Sequence, residues 1–308
     1  MKYSAEENIL PREQSESIEI LTDFSNLINE IVNFGTHLIK WDTENKLTGD
    51  ESIVPILFMR NILELADSIS ILIKKSSIDS SKNLLRSLLE NIFGLEYLLE
   101  KDSTNRSLSF IVWLTHKDLK FYEKLDNKTQ VGKQFKTEFS KDNLIQKPEL
   151  INNIEYLSHK KNSEELLKLP QYSKIENEYQ QTEKKIKNPN WYSLYSGPKN
   201  IEQLAKYLKH NAIYEVMYRG YSGNVHATDI YKGKLLPNNE GTVDITQIRN
   251  PKDAQSVTID TINFLLMAYL KYFGARIPER KIEFRDWYLE FKIEFDKLRN
   301  EKNSIITN

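Results

Sequence analysis

Residues 84–100 read LLRSLLENIFGLEYLLE, and this stretch decides the fold of the chain. Its apolar residues fall on so many sides of a helix that such a helix must lie near the centre of the protein. We expect the helix to begin near Asp79 or Ser80. The stretch therefore predicts one long helix, the most buried of the molecule.

Helical spacing of apolar residues recurs on both sides of this stretch. It predicts further helices over about Ser15–Lys40, from Asp50 or Ser52 to Lys75, from Asp102 or Ser103, after Pro198, over Asn211–Tyr218, from Pro251 and from Pro278. The last helix is expected to bury Ile282, Trp287, Phe291, Phe295 and Leu298. Turn residues fill positions 231–250, where a short hairpin is expected over Thr242–Ile248. We therefore predict an all-α protein, a multi-helix bundle with at most a small hairpin.

The composition of the chain changes between residues 126 and 190, where Lys, Glu, Asn and Gln dominate and apolar residues form only thin stripes. This change predicts a peripheral, polar helical insertion. We therefore expect one composite domain, in which 1–125 form an N-terminal helical half, 126–190 form the insertion, and 191–308 form a C-terminal helical half that carries the candidate site.

The whole-chain composition excludes several classes of protein. The 308 residues include no cysteine, which excludes disulfides, cysteine-ligated zinc, iron–sulfur clusters and thiol nucleophiles. The 43 basic and 44 acidic residues give no overall attraction to nucleic acid, so any RNA contact must be local. Residues 1–17 lack the apolar core of a signal peptide, and no apolar run is long enough for a membrane helix. We predict a cytoplasmic protein that does not contact membranes.

The candidates for chemistry lie in Trp191–Asp229. Seven of them fall within thirteen positions, namely Tyr214, Tyr218, Arg219, Tyr221, Ser222, Asn224 and His226. A helix that continued from Arg219 to His226 would turn about 700°, almost two whole turns, and would place both side chains on one face.

Two interpretations of this segment are open. In the first, it is an RNA phosphate site in which Arg219 holds charge and His226 moves a proton. In the second, it is a buried polar network that locks two helices together, because buried Tyr, Arg and His need partners in any case. Arg86 and Glu90 face each other on the central helix and either stabilise it or support Arg219 and His226.

Several known sites are missing from the sequence. It contains no HExxH, GxxxxGK[ST], GxGxxG or GxSxG, which argues against zinc proteases, nucleotide hydrolases, Rossmann enzymes and α/β-hydrolases. His226 and Asp229 alone make no metal site, and His37, His116 and His210 have no obvious carboxylate beside them. We predict neither a metal nor a cofactor.

Three segments carry a resemblance to a known family: RSLLENIFGLEYLLE (86–100), IEQLAKYL (201–208) and Y-x(3)-YRGYSGNVHATD (214–229). They resemble the bacterial domain-of-unknown-function family 5677 over roughly Ile53–Phe273. That family has an R-x-x-x-E helix followed by a Y-R-x-x-S-x-x-x-H segment, which Tyr218, Arg219, Ser222 and His226 match.

The same segment is similar to the R-x(4–6)-H motif of HEPN ribonucleases, helical proteins of toxin–antitoxin and phage-defence systems. Arg219 and His226 stand at the long end of that spacing, and Gly220 occupies a position that is often polar in those enzymes. The resemblance implies a homodimer, because HEPN enzymes bring two Arg/His pairs into one cleft.

The residue types suit RNA cleavage without a metal. Attack by the 2′-OH of RNA needs a base, an acid and a cation on the phosphate. Histidine titrates near neutral pH, and arginine offers a planar fork to phosphate oxygens. One histidine serves poorly as both base and acid, so a two-fold dimer is the simplest way to complete the site.

We therefore predict a homodimeric, metal-independent endoribonuclease that acts in phage defence or growth arrest, with RNA as substrate and an antitoxin or defence-system partner. Arg219 and His226 are the predicted catalytic residues. The supporting residues are Tyr218, Ser222, Asn224, Arg86 and Glu90, and the RNA-binding residues are Tyr214 and Tyr221. The alternative is a non-catalytic helical binding module in which the Tyr-Arg-Ser-His segment is structural.

Overall fold

A computed structural model describes residues 3–11, 18–45, 49–142, 155–225, 231, 233–238 and 241–300. The structure is 77% helical, and its described strands form one two-stranded antiparallel sheet. The predicted all-α class is confirmed. No helix among the described residues is both long and apolar enough to cross a membrane.

The elements follow one another along the chain as α1 (Ile18–Glu44), a 3-10 turn (Asp50–Ser52), α2 (Val54–Lys74), α3 (Ile78–Glu100), α4 (Ser103–Leu125), α5 (Gln130–Phe139), α6 (Glu155–Leu167), α7 (Pro170–Lys185), a 3-10 turn (Trp191–Ser196), α8 (Ile201–Tyr207), α9 (Asn211–Ile213), a π-helical turn (Tyr214–Tyr218), α10 (Arg219–Val225), β1 (Leu235–Pro237), β2 (Val243–Ile245), α11 (Ala254–Ala275), a 3-10 turn (Pro278–Arg280) and α12 (Lys281–Asn300).

Most helix starts lie close to their predicted positions. The central stretch forms α3. The helices before and after it in the chain, α2 and α4, begin at Val54 and Ser103. The predicted start of α1 at Ser15 lies outside the described residues. The hairpin begins earlier in the chain than predicted, since Leu235 pairs with Ile245.

The described residues divide into two compact units. The first unit draws on 1–48, 55–101 and 205–308, and the second on 49–54 and 102–204. The predicted division at 125 and 190 stays a prediction.

In the first unit, α11 packs against both α3 and α1. Gly35 of α1 allows this close approach, because a Cβ atom there would overlap the hydroxyl of Tyr269 and the side chain of Leu63. The Tyr269 hydroxyl donates a hydrogen bond to the Ile31 carbonyl at 2.8 Å. A glycine is therefore required where α1, α2 and α11 meet.

One residue expected in the core, Ile282, and a second large apolar residue, Leu270, lie at the surface. Ile282 of α12 is 61% exposed and Leu270 of α11 is 60% exposed. Ile282 precedes the buried Phe284 by two residues, and about 200° of helix rotation turns it away from the core. Of the other residues expected in the core, Phe291, Phe295 and Leu298 are buried and Trp287 is partly buried.

The second unit has its own core. Its buried residues come from α4, α7 and the 3-10 turn after α7, and they are Leu108, Val112, Tyr172, Ile175, Tyr179 and Leu194. His116 of α4 lies 2.7 Å from a carboxylate oxygen of Glu176, and its ring stacks on Tyr179 at 4.0 Å. The expectation that His116 lacks a carboxylate partner is wrong, because Glu176 comes from a different helix.

Candidate functional site

The candidate segment is a helix with one widened turn. Between α9 and α10, residues Tyr214–Tyr218 form a π-helical turn, in which the N–H of Arg219 donates to the carbonyl of Tyr214. A π-helical turn closes over five residues instead of four and is frequent at functional sites. The wider turn keeps Tyr214, Tyr218 and Ser222, which are four residues apart, near one line along the helix.

The side of this helix that carries Tyr218 and Ser222 faces α3, where Arg86 joins both side chains. Arg86 Nε donates to Ser222 Oγ at 3.0 Å, and Nη2 donates to the Tyr218 hydroxyl at 2.5 Å. Nη2 also lies 3.0 Å from Glu90 Oε1. The structure thus brings together four of the predicted supporting residues, Arg86, Glu90, Tyr218 and Ser222.

Each polar group of this cluster has a partner. The Tyr218 hydroxyl donates to Glu90 Oε1 at 2.5 Å, and Ser222 Oγ donates to the carbonyl of Tyr218 at 2.9 Å. Burial raises the pKa of Tyr218, and the hydrogen bond to Glu90 and the charge of that carboxylate raise it further. The hydroxyl therefore keeps its proton and acts as a donor. We refer to Arg86, Glu90, Tyr218 and Ser222 as the α3 network.

Arg219 occupies a different side of the helix. Its side chain is 53% exposed, and its Nε lies 3.3 Å from Glu215 Oε2, one turn earlier. Its guanidinium carbon also lies 5.4 Å from the ring centroid of Tyr214, which in turn stacks on Tyr218. Arg219 is therefore close to the α3 network through ring contacts while its charge faces solvent.

The two tyrosines predicted to bind RNA are placed differently. Tyr214 is buried in the stack with Tyr218. The hydroxyl of Tyr221 donates to Asp260 Oδ2 of α11 at 2.7 Å. Burial raises the pKa of Tyr221 and also that of Asp260, against the lowering effect of their hydrogen bond on the carboxyl. Tyr221 is thus tied to α11, away from the α3 network.

Two predicted residues are not placed by their side chains. Asn224 belongs to α10, and His226 lies outside the described residues. The pairing of Arg219 with His226 therefore stays a prediction.

A second polar cluster on α3 escaped the sequence analysis. His210 Nε2 lies 2.6 Å from Glu96 Oε2, and Lys271 Nζ lies 2.7 Å from Glu96 Oε1. The His210 ring stacks on Phe93. The sequence shows no carboxylate near His210, because its partner Glu96 lies 114 positions earlier in the chain. A glutamate inside the apolar run IFGLEYLL was the available signal for a buried partner.

This cluster fixes the start of the site helix, because His210 immediately precedes α9. Burial by itself would raise the pKa of Glu96, but the hydrogen bonds and charges of His210 and Lys271 more than offset it, so that this pKa is lowered. Glu96 therefore stays ionised while it holds both partners.

Within the described ranges, no group of three or more His, Asp and Glu side chains is arranged to hold a metal ion.

A family model described as a family of unknown function, DUF5677, matches residues 52–241, well over half of the chain. The chain belongs to the DUF5677 family. The matched range includes both the α3 network and the segment from Tyr214 to His226, so the candidate site lies within the DUF5677 region. No curated protein and no solved structure matches the chain.

Proposed function

We propose that this DUF5677 protein is a metal-independent endoribonuclease of the cytoplasm that acts in phage defence or growth arrest. The observation that carries the proposal is the different position of two arginines: Arg86 of α3 is bonded within the α3 network, and Arg219 of α10 lies outside it. The side chain of Arg86 is 18% exposed, whereas the side chain of Arg219 is 53% exposed. In this proposal Arg86 fixes the helix, and Arg219 binds a phosphate.

A phosphate would compete with Glu215 for Arg219. Arg219 Nε lies 3.3 Å from Glu215 Oε2, both side chains are about half exposed, and such surface pairs contribute little to stability. A phosphodiester offers two oxygens to the guanidinium fork in a bidentate arrangement. The exchange replaces a weak contact with a stronger one, and the Tyr214 ring supports the guanidinium during it.

His226 supplies proton transfer in this proposal. One imidazole takes the proton of the RNA 2′-OH, and a second imidazole gives a proton to the leaving 5′-oxygen. The second one comes from another copy of the chain, in a homodimer. A homodimer would cover apolar side chains that are exposed in the first unit, such as Leu57 and Ile71 of α2 and Leu270 of α11.

One observation favours a second function. The α3 network satisfies its polar groups without a ligand, as expected of a non-catalytic binding module in which this segment is structural. Such a module would bind a partner, such as an antitoxin or defence protein, without cleaving RNA.

Purified wild type, Arg219→Ala and His226→Ala proteins, incubated with total RNA in EDTA, separate the two functions. We expect cleavage by wild type and a loss of about 10²–10⁴-fold in His226→Ala, the contribution of a positioned acid–base group. Arg285→Ala is the control, because Arg285 is an exposed arginine of α12 that pairs only with its neighbour Asp286 in the described structure.

Folding is followed by circular dichroism and assembly by light scattering in the same samples. Cleavage that persists in folded His226→Ala would contradict the catalytic assignment. A wild type without activity on any RNA would favour the binding module, and a monomer at micromolar concentration would remove the two-histidine mechanism.

A further inference from the structure

The first unit contains a cleft of about 370 Å³ beside α10. Its walls come from the starts of α3 and α11, from α10, and from the hairpin region, and include Lys82, Lys234, Lys252, Tyr221, Gln247 and Asn250. Small-molecule sites usually measure about 300–1,000 Å³, so the cleft has room for one nucleotide. Gly220 and Tyr221, which directly follow Arg219, both line it.

The charges in the cleft favour an anion. Lys82 Nζ lies 2.9 Å from Asp253 Oδ2 and 3.2 Å from Asp79 Oδ1, and Lys234 pairs with Asp79 as well. Lys252 has no ion pair within the described part of the chain and is exposed. Three lysines against two aspartates leave one positive charge in excess at the cleft.

The start of α11 adds to this positive potential. Lys252 and Asp253 directly precede its first residue, Ala254, and the helix is 22 residues long. Asp253 does not cap the helix with its side chain, because its Oδ2 accepts from Lys82 instead. The positive end of the helix dipole lies beside Lys252 and the Asp253 carboxylate, and the N–H of Ala254 donates to the carbonyl of Pro251.

One wall of the cleft suits a nucleobase. The hydrogen bond from Tyr221 to Asp260 holds the ring of Tyr221 in place. Among the described residues other than its chain neighbours and its own helix backbone, none lies within 4 Å of the position that a Cβ of Gly220 would take, so the helix surface at Gly220 is open. Single-stranded RNA is bound in many proteins by aromatic rings that stack on unpaired bases and by cations that meet the phosphates.

We infer that this cleft holds an unpaired nucleotide of the RNA substrate, with its base against Tyr221 and its phosphate at Lys252. The amide groups of Gln247 and Asn250 provide donors and acceptors for the edge of the base. The inference rests on the proposed function, because α10 both carries Arg219 and forms one wall of the cleft. The side of α10 that lines the cleft then binds the substrate. The side that faces α3 is held in place by the α3 network.

Binding is measured apart from cleavage by fluorescence anisotropy, with a fluorescein-labelled, 2′-O-methylated RNA ten nucleotides long, in EDTA. This RNA lacks the attacking hydroxyl and stays intact in a ribonuclease that uses it. We expect Lys252→Ala to raise Kd about tenfold and to lower the slope of log K against log salt by about 0.7, the share of one phosphate contact on a single strand.

The ring of Tyr221 has its own test. Tyr221→Leu removes the ring and should raise Kd about tenfold or more, since stacking is lost. Tyr221→Phe keeps the ring and should bind within about twofold of wild type, although it loses the bond to Asp260. Lys40→Ala is the control for Lys252→Ala, because Lys40 is an exposed lysine of α1 that pairs with Glu44.

The outcomes distinguish this inference from the proposed function. Equal Kd values for wild type, Lys252→Ala and Tyr221→Leu would overturn the inference and leave the ribonuclease standing if cleavage of natural RNA continues. If both variants bind more weakly and wild type cleaves no RNA, the proposed ribonuclease is contradicted and the RNA-binding cleft is supported. A wild type that does not bind this RNA at 50 mM salt, or that loses it fully to equimolar AMP, would overturn the RNA assignment.

Discussion

The ring of Tyr214 stacks on the ring of Tyr218, with centroids 5.0 Å apart and 18° between the planes. Arg86 lies 4.4 Å from the centroid of Tyr218, and Arg219 lies 5.4 Å from that of Tyr214. The half-buried arginine of α3 and the exposed arginine of α10 are thus connected through two rings. The position of Arg219 therefore depends on how firmly Tyr218 is anchored.

Tyr218→Phe tests this anchor. The change removes the hydroxyl that accepts from Arg86 and donates to Glu90 but keeps the stacked ring. We expect the free energy of unfolding to fall by about 1–3 kcal/mol, because two partly buried partners lose a hydrogen bond. Urea unfolding measures the loss. Tyr207→Phe is the control, since its exposed hydroxyl bonds to Glu100, and an equal loss in both variants would contradict a special role for the α3 network.

Arg219 and Arg86 should differ sharply when each is replaced by alanine. Arg219 makes an exposed pair, so Arg219→Ala should change the free energy of unfolding by less than about 1 kcal/mol. Arg86→Ala leaves Tyr218 and Ser222 without their shared donor and should cost about 1–3 kcal/mol. Thermal unfolding compares the two. A large loss in Arg219→Ala would mean that Arg219 is a structural residue.

Local sequence patterns predicted much of the fold. The density of leucine in 84–100 predicted α3, and the spacing of Arg86 and Glu90 predicted their pair. The other two partners of Arg86, Tyr218 and Ser222, were not predictable in the same way. Helical spacing assumes about 3.6 residues per turn, and the π-helical turn over Tyr214–Tyr218 changes which side chains face α3.

Contacts between residues that are distant in sequence were also not predicted. The pairs His210–Glu96 and Tyr221–Asp260 join helices that are 114 and 39 positions apart. No periodic pattern within one helix encodes which residue of another helix it meets. The placement of His210 and Tyr221 therefore required the packing of α3 and α11.

The two glycines Gly220 and Gly35 should respond oppositely to alanine. No described residue outside the immediate helix crowds a Cβ at Gly220, so Gly220→Ala should raise the free energy of unfolding by about 0.5–1 kcal/mol. A Cβ at Gly35 overlaps Tyr269 and Leu63, so Gly35→Ala should lower it, by about 1–3 kcal/mol for overpacking. Chemical denaturation checks both, and a stabilised Gly35→Ala would contradict the described contact of α1 and α11.

Acid should weaken the fold through Glu96. The pKa of this buried carboxyl is lowered from its ordinary value of 4.5 by His210 and Lys271. A lowered folded-state pKa adds stability that is fully present above the unfolded value and is lost as the pH falls through the folded value. The urea midpoint of wild type should therefore fall more steeply than that of Glu96→Gln between about pH 5 and pH 3. Parallel curves would show that protonation of Glu96 is not linked to folding.

The chemistry of the cut tests the proposed ribonuclease most directly. Wild type protein is incubated in EDTA with an RNA oligonucleotide and with the same oligonucleotide carrying a 2′-deoxy sugar at the mapped cleavage position. We predict cleavage of the first, with 2′,3′-cyclic phosphate ends, and none of the second at that position, because the attacking group is the 2′-OH of the RNA. Equal cleavage of both, or cleavage that appears only when a divalent metal is added, would contradict the metal-independent mechanism.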